Sequence, residues 1–471
     1  MSDLTARTLN WLRRQVRGRL SLPGDQHYAV ATAIWAKPVG RLPCAVVHCR
    51  TPEDIRFAIR AARDCDLPLS VLGGGHDWAG RALCEGIVVD LSPMRNVTVS
   101  PVRRTARMAG GARAGDVAAK ADHAGLVAVT GSVGAVGMAG LTLGGGYGPL
   151  IGRFGLALDN LLAATVVLAD GSVVVADAVH EPDLFWALRG GGGNFGVVIE
   201  MRHRLHALPS VHSGMLIYPF SDAHAVLAGC ADIAAAAPDE LTAQIGLVAG
   251  PAGVPVVMVV PTWCGPAGQG EARLAPFGKL GTLLAGSVEA RRYGAALTLF
   301  DPYLTHGRPT VMETCWLPAL DGGSIDLLLE AISSAASPGC AVITHEFRGQ
   351  ASRVSTAETA FGLRRDHLLI EILASWDDRA GPGEAQRHRR WARSSRDAFA
   401  ATALPGGYPN LLGVGDRDRA LDSFGENAAR LGAAKRRYDP DNIFSSAIPL
   451  PPSRQSPNPR PVALAHQLSR V

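Results

Sequence analysis

The sequence predicts an α+β protein of two domains, and three observations carry that prediction. Patterns typical of strand, helix, strand and strand follow one another over the first hundred residues. The stretch 125–155 is rich in glycine and small apolar residues, which distinguishes it from a polar, flexible linker. Near 208–210 the glycine density falls and a new mixture of strand and helix patterns begins, which indicates a second domain. A chain of 471 residues is long enough for two or three domains with large cores.

The first elements follow from local patterns. The apolar run CAVVHC at 44–49 predicts a strand. Thr51 then fits a helix N-cap, with Pro52 at the first helical position. Asp54 can return the cap, and apolar residues at helical spacing predict a helix over 53–65. The next strands are predicted at 69–72 and 87–91.

The later elements are predicted in the same way. The dipeptide Asp170-Gly171 predicts a hairpin between strands 163–169 and 172–176. A helix near 181–189 leads into the glycine run 190–196 and a further strand. In the second domain we expect strands at 214–218, 255–260 and 368–375 and helices at 223–236, 324–336 and 384–399. The Pro-rich segment 449–463 is expected to be extended or disordered.

Composition and charge exclude several function classes. The net charge is only +4, and no long basic run with interleaved aromatic residues indicates binding to nucleic acid. No run of about 18 apolar residues predicts a membrane span, and the basic amphipathic N-terminal helix lacks the apolar core of a secretion signal. We therefore expect a cytoplasmic protein without a nucleic-acid or membrane partner.

The eight cysteines fit neither a zinc site nor a disulfide framework, because none forms a CxxC pair. We expect buried free thiols and no metal site.

The stretch SVLGGGHDWAG at 70–80 places a single histidine, His76, in a glycine loop. Taken alone, it could be a turn with a surface histidine. Two more glycine clusters, at 144–148 and 190–196, favour a common role. The second of these contains GxGxxG, but it follows a helix and enters a strand, which is the wrong order for a Rossmann site. Main-chain N–H groups of glycine loops can bind a pyrophosphate, and the apolar lining suits a large planar cofactor. We expect the imidazole to lie beside that cofactor.

These pieces together resemble the FAD-linked oxidases of the vanillyl-alcohol oxidase/PCMH superfamily, in the berberine-bridge-enzyme-like branch. The bacterial 6-hydroxynicotine-oxidase-like members are most similar. The resemblance runs from PEDIRFAIRAARDCDLPLSVLGGGHDWAG through TGSVGAVGMAGLTLGGGYG and DLFWALRGGGGNFGVV to KRRYDPDNIFSSAIPLP. It implies a PCMH-type FAD-binding fold with an antiparallel-sheet substrate domain. The implied divisions are an N-terminal helix and lead-in (1–37), the FAD-binding domain (38–208), the substrate domain (209–425) and a returning C-terminal segment with a Pro-rich tail (426–471).

The resemblance also implies the residues of the site. His76 is expected to bond covalently to the 8α-methyl group of FAD, anchoring the cofactor and raising its potential. The other expected cofactor-binding residues are Leu72, Gly73, Gly74, Gly75, Asp77, Gly131, Ser132, Gly137, Gly140, Leu141, Gly144, Val198 and Ile199. The expected catalytic residues are Tyr408, Asn410 and Glu346.

Three positions depart from the family pattern. Val133 occupies the place of a second, cysteinyl tether, so a single covalent bond is expected. Leu411 replaces the tyrosine that serves many alcohol- and sugar-oxidising members as general base. Leu72 stands where an arginine is usual.

The absence of a tyrosine base bears on the substrate. A positioned base contributes roughly 10²–10⁴-fold to such reactions. A neutral amine needs no such base, so the sequence favours oxidation of an amine or alkaloid, with O2 reduced to H2O2. A flavin dehydrogenase, an alcohol or sugar oxidase in which Glu346, Glu371 or His306 replaces the base, and a non-catalytic flavin-binding protein remain alternatives. We expect a monomer or homodimer.

Overall fold

The computed structural model describes residues 3–37, 42–250, 253–304, 306–413 and 415–450. In these ranges the chain forms three sheets, of four, six and seven strands, with helices packed against them. This arrangement confirms the predicted α+β class. The segment 451–463 of the predicted Pro-rich tail lies outside the described residues.

The first sheet is mostly parallel and has the strand order β1-β2-β4-β3. Its elements are α1 (Asp3–Gln15), β1 (Arg19–Ser21), α2 (Gln26–Thr32), β2 (Ala45–His48), α3 (Pro52–Asp64), β3 (Leu69–Leu72) and β4 (Ile87–Asp90). The predicted cap of α3 is confirmed, because the Asp54 amide donates to Thr51 Oγ1 at 3.4 Å and the Thr51 amide donates to the Asp54 carboxylate at 3.1 Å. Leu9 and Leu12 of α1 pack into the core of this layer, so the N-terminal helix is part of it.

The second sheet is antiparallel, in the order β5-β6-β10-β8-β9, with β7 paired to β10. Its elements are β5 (Val97–Ser100), β6 (Thr105–Ala109), α4 (Ala114–Asp122), β7 (Leu126–Ala128), α5 (Met138–Gly144), α6 (Ile151–Phe154), β8 (Leu161–Val167), β9 (Val173–Ala176), α7 (Pro182–Leu188) and β10 (Val197–Ala207). The glycine run 190–196 does connect helix α7 to strand β10. This order of helix, glycines and strand is the reverse of the order in a Rossmann site.

The third sheet is antiparallel and has seven strands, in the order β14-β11-β13-β12-β16-β17-β15. Its strands are β11 (Val211–Pro219), β12 (Leu241–Ala249), β13 (Pro255–Trp263), β14 (Ala285–Arg291), β15 (Thr310–Leu317), β16 (Cys340–Phe347) and β17 (His367–Ser375). The accompanying helices are α8 (Ala223–Ala235), α9 (Gly270–Leu274), α10 (Tyr293–Ala296), α11 (Gly322–Ser333), α12 (Gln350–Arg353) and α13 (Pro382–Asp397). Alternate apolar side chains of the sheet pack against α8, α11 and α13. The opposite face is therefore left to line the space beneath the sheet.

The chain returns to the second sheet through α14 (Arg417–Phe424) and α15 (Ala428–Tyr438). Leu412, Ala420 and Phe424 already lie in the core of that layer, so the return begins before residue 426. A buried ion pair joins the two parts, because Arg364 of the substrate side holds Asp159 at 2.8 Å. Each predicted strand and helix corresponds to one of these elements, whereas no strand was predicted for β1, β5, β6, β7, β12, β14 and β15.

All eight cysteines lie within the described ranges, and six of them are buried. The described residues include no helix with the length and apolarity needed to cross a membrane. They also contain no cluster of three or more side chains suited to a metal ion.

Candidate active site

A cavity of about 660 Å³ lies between the glycine loops of the first two sheets and the free face of the third sheet. Most of the expected cofactor-binding residues line it. They are Gly73, Gly74, Gly75, His76, Asp77, Gly131, Ser132, Gly137, Gly140, Leu141 and Val198. Residues from three separate glycine-rich stretches thus meet on one wall.

The glycines of this wall leave room for a ligand in two ways. Gly74 and Gly137 pack backbone against backbone, since a Cβ on Gly74 would lie 2.4 Å from the Gly137 Cα. Gly140, near the start of α5, faces open space, because a Cβ there would meet nothing within 4 Å. A wall of close-packed backbone and exposed glycine suits the pyrophosphate and flat ring of FAD. The residues present therefore fit the cofactor that the motifs imply.

Leu72, Gly144 and Ile199 were expected to bind the cofactor but do not line the cavity. Leu72 and Ile199 lie in separate apolar cores. A Cβ on Gly144 would lie 2.1 Å from the Asn410 side-chain oxygen. Neighbouring Gly145 has a φ of +150°, and its Cβ would lie 2.7 Å from the Tyr408 ring. Gly144 and Gly145 of the LGGGYG motif are thus needed for close packing against the segment 408–411.

His76 is held as a neutral imidazole at the cavity wall. Its ring lies 4.9 Å from the ring of Trp35, with 31° between the ring planes. Burial, with a smaller effect of nearby His306, lowers the pKa of His76 to about 4. At neutral pH one ring nitrogen therefore keeps a free lone pair.

The loop that carries His76 is bound to the segment 408–411. Asp77 accepts hydrogen bonds from the amides of Ala79 and Ala82 at 3.1 and 2.8 Å, which closes the loop on itself. Arg81 donates to the carbonyl oxygens of Pro409 and Asn410. Trp78 donates from its indole nitrogen to the Leu411 carbonyl oxygen at 3.1 Å. These bonds set the histidine loop and this distant segment in one rigid unit.

Tyr408 and Asn410 line the cavity, and their polar groups are already engaged. The Tyr408 hydroxyl oxygen accepts from the Gly146 amide at 2.8 Å and from Asn410 Nδ2 at 3.0 Å. Asn410 Nδ2 also donates to the Leu141 carbonyl oxygen at 3.1 Å. Burial raises the pKa of Tyr408 to about 12. The phenol is therefore protonated at neutral pH.

The opposite wall contributes a carboxylate and an imidazole. His345 Nε2 lies 3.1 Å from Glu371 Oε1 and 3.3 Å from Gln244 Nε2. Glu371 is close enough for its charge to raise the pKa of both His76 and Tyr408. Among the described residues that line the cavity, the carboxylates are Glu371 and Asp77, and Asp77 is committed to its own loop. Glu371 is thus the carboxylate available to a substrate.

Glu346 is not brought together with Tyr408 and Asn410. It lines a separate pocket of about 30 Å³, next to the point where β12 and β16 part. There Thr344 Oγ1 accepts from the Ile245 amide at 3.2 Å, and Glu346 accepts from the Ala243 amide. Burial raises the pKa of Glu346 to about 7. Glu346 therefore contacts the neighbouring strand β12 and does not line the large cavity.

Two further positions bear on the predicted departures. Val133 and Leu411 both line the cavity, so neither a thiol nor a phenol is present where those groups would be. His306, an expected alternative base, is exposed and does not line the cavity.

Several lining residues were not predicted. The cavity also contacts Trp35, Gly110, Gly192, Gly193, Gly196, Phe444, Ser446, Ala447 and Ile448. The glycines at 192–196 carried a visible signal, the GxGxxG pattern, although in an order that excludes a Rossmann loop. Trp35 had no local signal, because only long-range packing brings it to the wall. The 444–448 segment lies in the KRRYDPDNIFSSAIPLP stretch of the family resemblance, but none of its residues was assigned to the cofactor site.

The chain is similar to known FAD-binding proteins in both sequence and structure. A family model described as an FAD binding domain matches residues 43–177, and one described as berberine and berberine like matches 415–451. FAD-linked oxidoreductase pgmH of Aspergillus terreus is 30% identical, over 96% of this chain and 97% of that protein. (R)-6-hydroxynicotine oxidase of Paenarthrobacter nicotinovorans is 28% identical, over 91% of this chain and 95% of that protein. The crystal structure of 6-hydroxy-D-nicotine oxidase from Arthrobacter nicotinovorans superposes with a TM-score of 0.83 at 28% identity, covering 92% of this chain and 97% of that one.

Proposed function

The chain belongs to the FAD-linked oxidoreductases of the berberine-bridge-enzyme-like family, and we propose that it is an oxidase that removes two electrons from a C–N or C–O bond of a small organic substrate. FAD is its cofactor. Bound FAD supplies the chemistry of hydride acceptance and of electron transfer to O2, which yields H2O2. A relative named for 6-hydroxynicotine, an amine, supports an amine substrate. We expect a cytoplasmic monomer or homodimer.

The proposal rests on one observation: two walls of different chemistry face each other across the same cavity. The glycine wall with His76 faces the sheet wall with Glu371 and His345. A cofactor on the first wall and a substrate against the second would lie side by side in one cavity. In that arrangement Glu371 and His345 would face the substrate from the side opposite the cofactor, where a proton acceptor is useful.

His76 is the proposed covalent anchor of FAD. Its imidazole is neutral and so can act as a nucleophile. Its loop is held by the bonds of Asp77, Trp78 and Arg81, which reduces the freedom of the ring before the bond forms. Val133 offers no second nucleophile, which supports a single tether.

Glu371 and His345 are the proposed proton acceptors. Leu411 cannot take a proton, and the Tyr408 phenol is protonated and already bonded by two donors. Glu371 can attract a protonated amine to the cavity and, with His345, receive the proton that leaves nitrogen. The same pair could take the hydroxyl proton of an alcohol, which keeps an alcohol oxidase as the second candidate. Tyr408 and Asn410 hold the backbone of the glycine wall.

Acid precipitation of the purified protein tests the anchor. We expect a yellow pellet from the wild-type protein and a yellow supernatant from His76→Ala. His180→Ala, an exposed histidine outside the cavity, is the matched control and should keep its flavin in the pellet. Free flavin from the wild-type protein would exclude the covalent bond.

Reoxidation after anaerobic reduction with dithionite tests the oxidase assignment, because it needs no substrate. An oxidase regains its yellow colour rapidly in air and forms one H2O2 per flavin. Slow recovery in air, together with rapid recovery with dichlorophenolindophenol, would identify a dehydrogenase instead.

A further inference from the structure

The cavity face of the third sheet changes character along its strands. Glu371 of β17 is paired with Ile343 of β16 and with Thr314 of β15. Two residues further along β17, Leu373 is paired with Ala341 and Met312. Residues two apart on a strand are about 7 Å from each other and point to the same side. An apolar row thus runs across three strands, about 7 Å from the carboxylate.

The apolar row is open to the cavity. Leu373 and Ala341 are half-buried, whereas Ile372 and Ala374, on the helix-facing side of β17, are fully buried. Val248 and Met258 of the neighbouring strands extend this apolar wall. Partly exposed aliphatic side chains inside a deep cavity are typical of a site that receives an apolar ligand.

Polar side chains border the apolar row at its two ends, because Ser375, two residues beyond Leu373 on β17, also lines the cavity. Gln244, His345 and Glu371 form one cluster. Among the described residues on this wall, the guanidinium is that of Arg308, which is exposed at the rim before β15 begins. A sugar ring against Leu373 and Met312 would lose water from its hydroxyls without gaining hydrogen bonds, which is unfavourable.

We propose that the row of Met312, Leu373 and Ala341 is a binding subsite for an uncharged apolar ring or chain of the substrate, with the oxidisable group about 7 Å away at Glu371 and His345. This assignment rests on the proposed function. The substrate is then a largely apolar aromatic or alicyclic amine or alcohol, and oligosaccharides are excluded.

Calorimetric titration of the flavin-loaded protein with 2-naphthol and with cellobiose tests the subsite. Wild-type protein should bind 2-naphthol at least about tenfold more tightly than cellobiose. Leu373→Asn should raise the Kd of 2-naphthol by about tenfold or more, because burial of a leucine side chain is lost. Leu284→Asn, at an exposed leucine of the same domain, should leave it unchanged.

The controls separate the possible failures. Met312→Gln is a second variant of the row in case Leu373→Asn does not fold, as judged by circular dichroism. Binding of cellobiose as tight as that of 2-naphthol, or an unchanged 2-naphthol Kd in a folded row variant, would overturn the subsite. Flavin content, read from the absorbance near 450 nm, reports separately on the proposed function.

Discussion

Replacement of Tyr408 by phenylalanine distinguishes a holding role of this residue from a chemical one. The substitution removes one oxygen and keeps the ring, whose centroid lies 4.6 Å from that of Tyr147. The lost oxygen accepts from the Gly146 amide at 2.8 Å and from Asn410 Nδ2 at 3.0 Å. Since burial raises the pKa of Tyr408 to about 12, its hydroxyl is protonated at pH 7. The structure therefore assigns the hydroxyl to packing of the glycine wall.

The cost follows from the two donors left behind. An unpaired buried amide costs about 1–3 kcal/mol, and Gly146 is buried. Asn410 keeps its bond to the Leu141 carbonyl oxygen, so its loss is nearer the roughly 0.5–1.5 kcal/mol of an ordinary hydrogen bond. Together the variant should lose about 2–4 kcal/mol of stability. The rate of flavin reduction should fall by less than about tenfold, since no proton transfer is removed.

Two measurements test this expectation. Thermal unfolding measures the stability of Tyr408→Phe, with Tyr218→Phe as the matched control. Tyr218 is a buried tyrosine in the helix-side core of the third sheet, where its hydroxyl donates to the Phe277 carbonyl oxygen. Stopped-flow reduction of the flavin by substrate gives the rate. A loss of 10²–10⁴-fold in that rate with unchanged stability would show that the phenol takes part in proton transfer, and the reasoning above would be wrong.

Three further predictions concern carboxylates. For a protonated amine or an alcohol, whose proton must leave, Glu371→Gln should lower kcat/KM by about 10²–10⁴-fold with flavin content unchanged, as measured by anaerobic flavin bleaching. A near-normal value would remove Glu371 from the proton path. Burial raises the pKa of Glu346 from 4.5 to about 7, so folding favours its protonated form, and the free energy of unfolding should fall as the pH rises from about 5 to 7. In urea titrations, Glu346→Gln should abolish this decline. The same decline in the wild-type protein and the variant would contradict the prediction. Asp159→Ala leaves the buried Arg364 guanidinium without its carboxylate partner. The free energy of unfolding, measured by urea titration, should fall by about 3–5 kcal/mol. A decrease below about 1 kcal/mol would show that water replaces the carboxylate.

Local patterns were sufficient for the fold class, and the resemblance of the glycine motifs to a known family supplied most residues of the glycine wall. The cap of α3 depends on residues 51–54 alone, and short apolar or alternating runs mark the predicted strands. The GGH loop could be recognised because glycine backbone and one histidine are consecutive in the chain. Such features are encoded within a few residues, so a single sequence is enough to predict them.

The opposite wall could not be predicted in this way. Glu346 and Glu371 are both glutamates on adjacent strands, yet only Glu371 lines the large cavity. On the strand of Glu346 it is the neighbouring His345 that does so, because successive side chains of a strand face opposite sides of the sheet. Gly144 and Gly145 looked like cofactor glycines, but packing against Asn410 and Tyr408, more than 260 residues away, accounts for them. Strand register and long-range packing depend on contacts between distant segments. The sequence therefore predicted the histidine loop that would anchor the cofactor, and the folded chain determined which carboxylate lies in the same cavity.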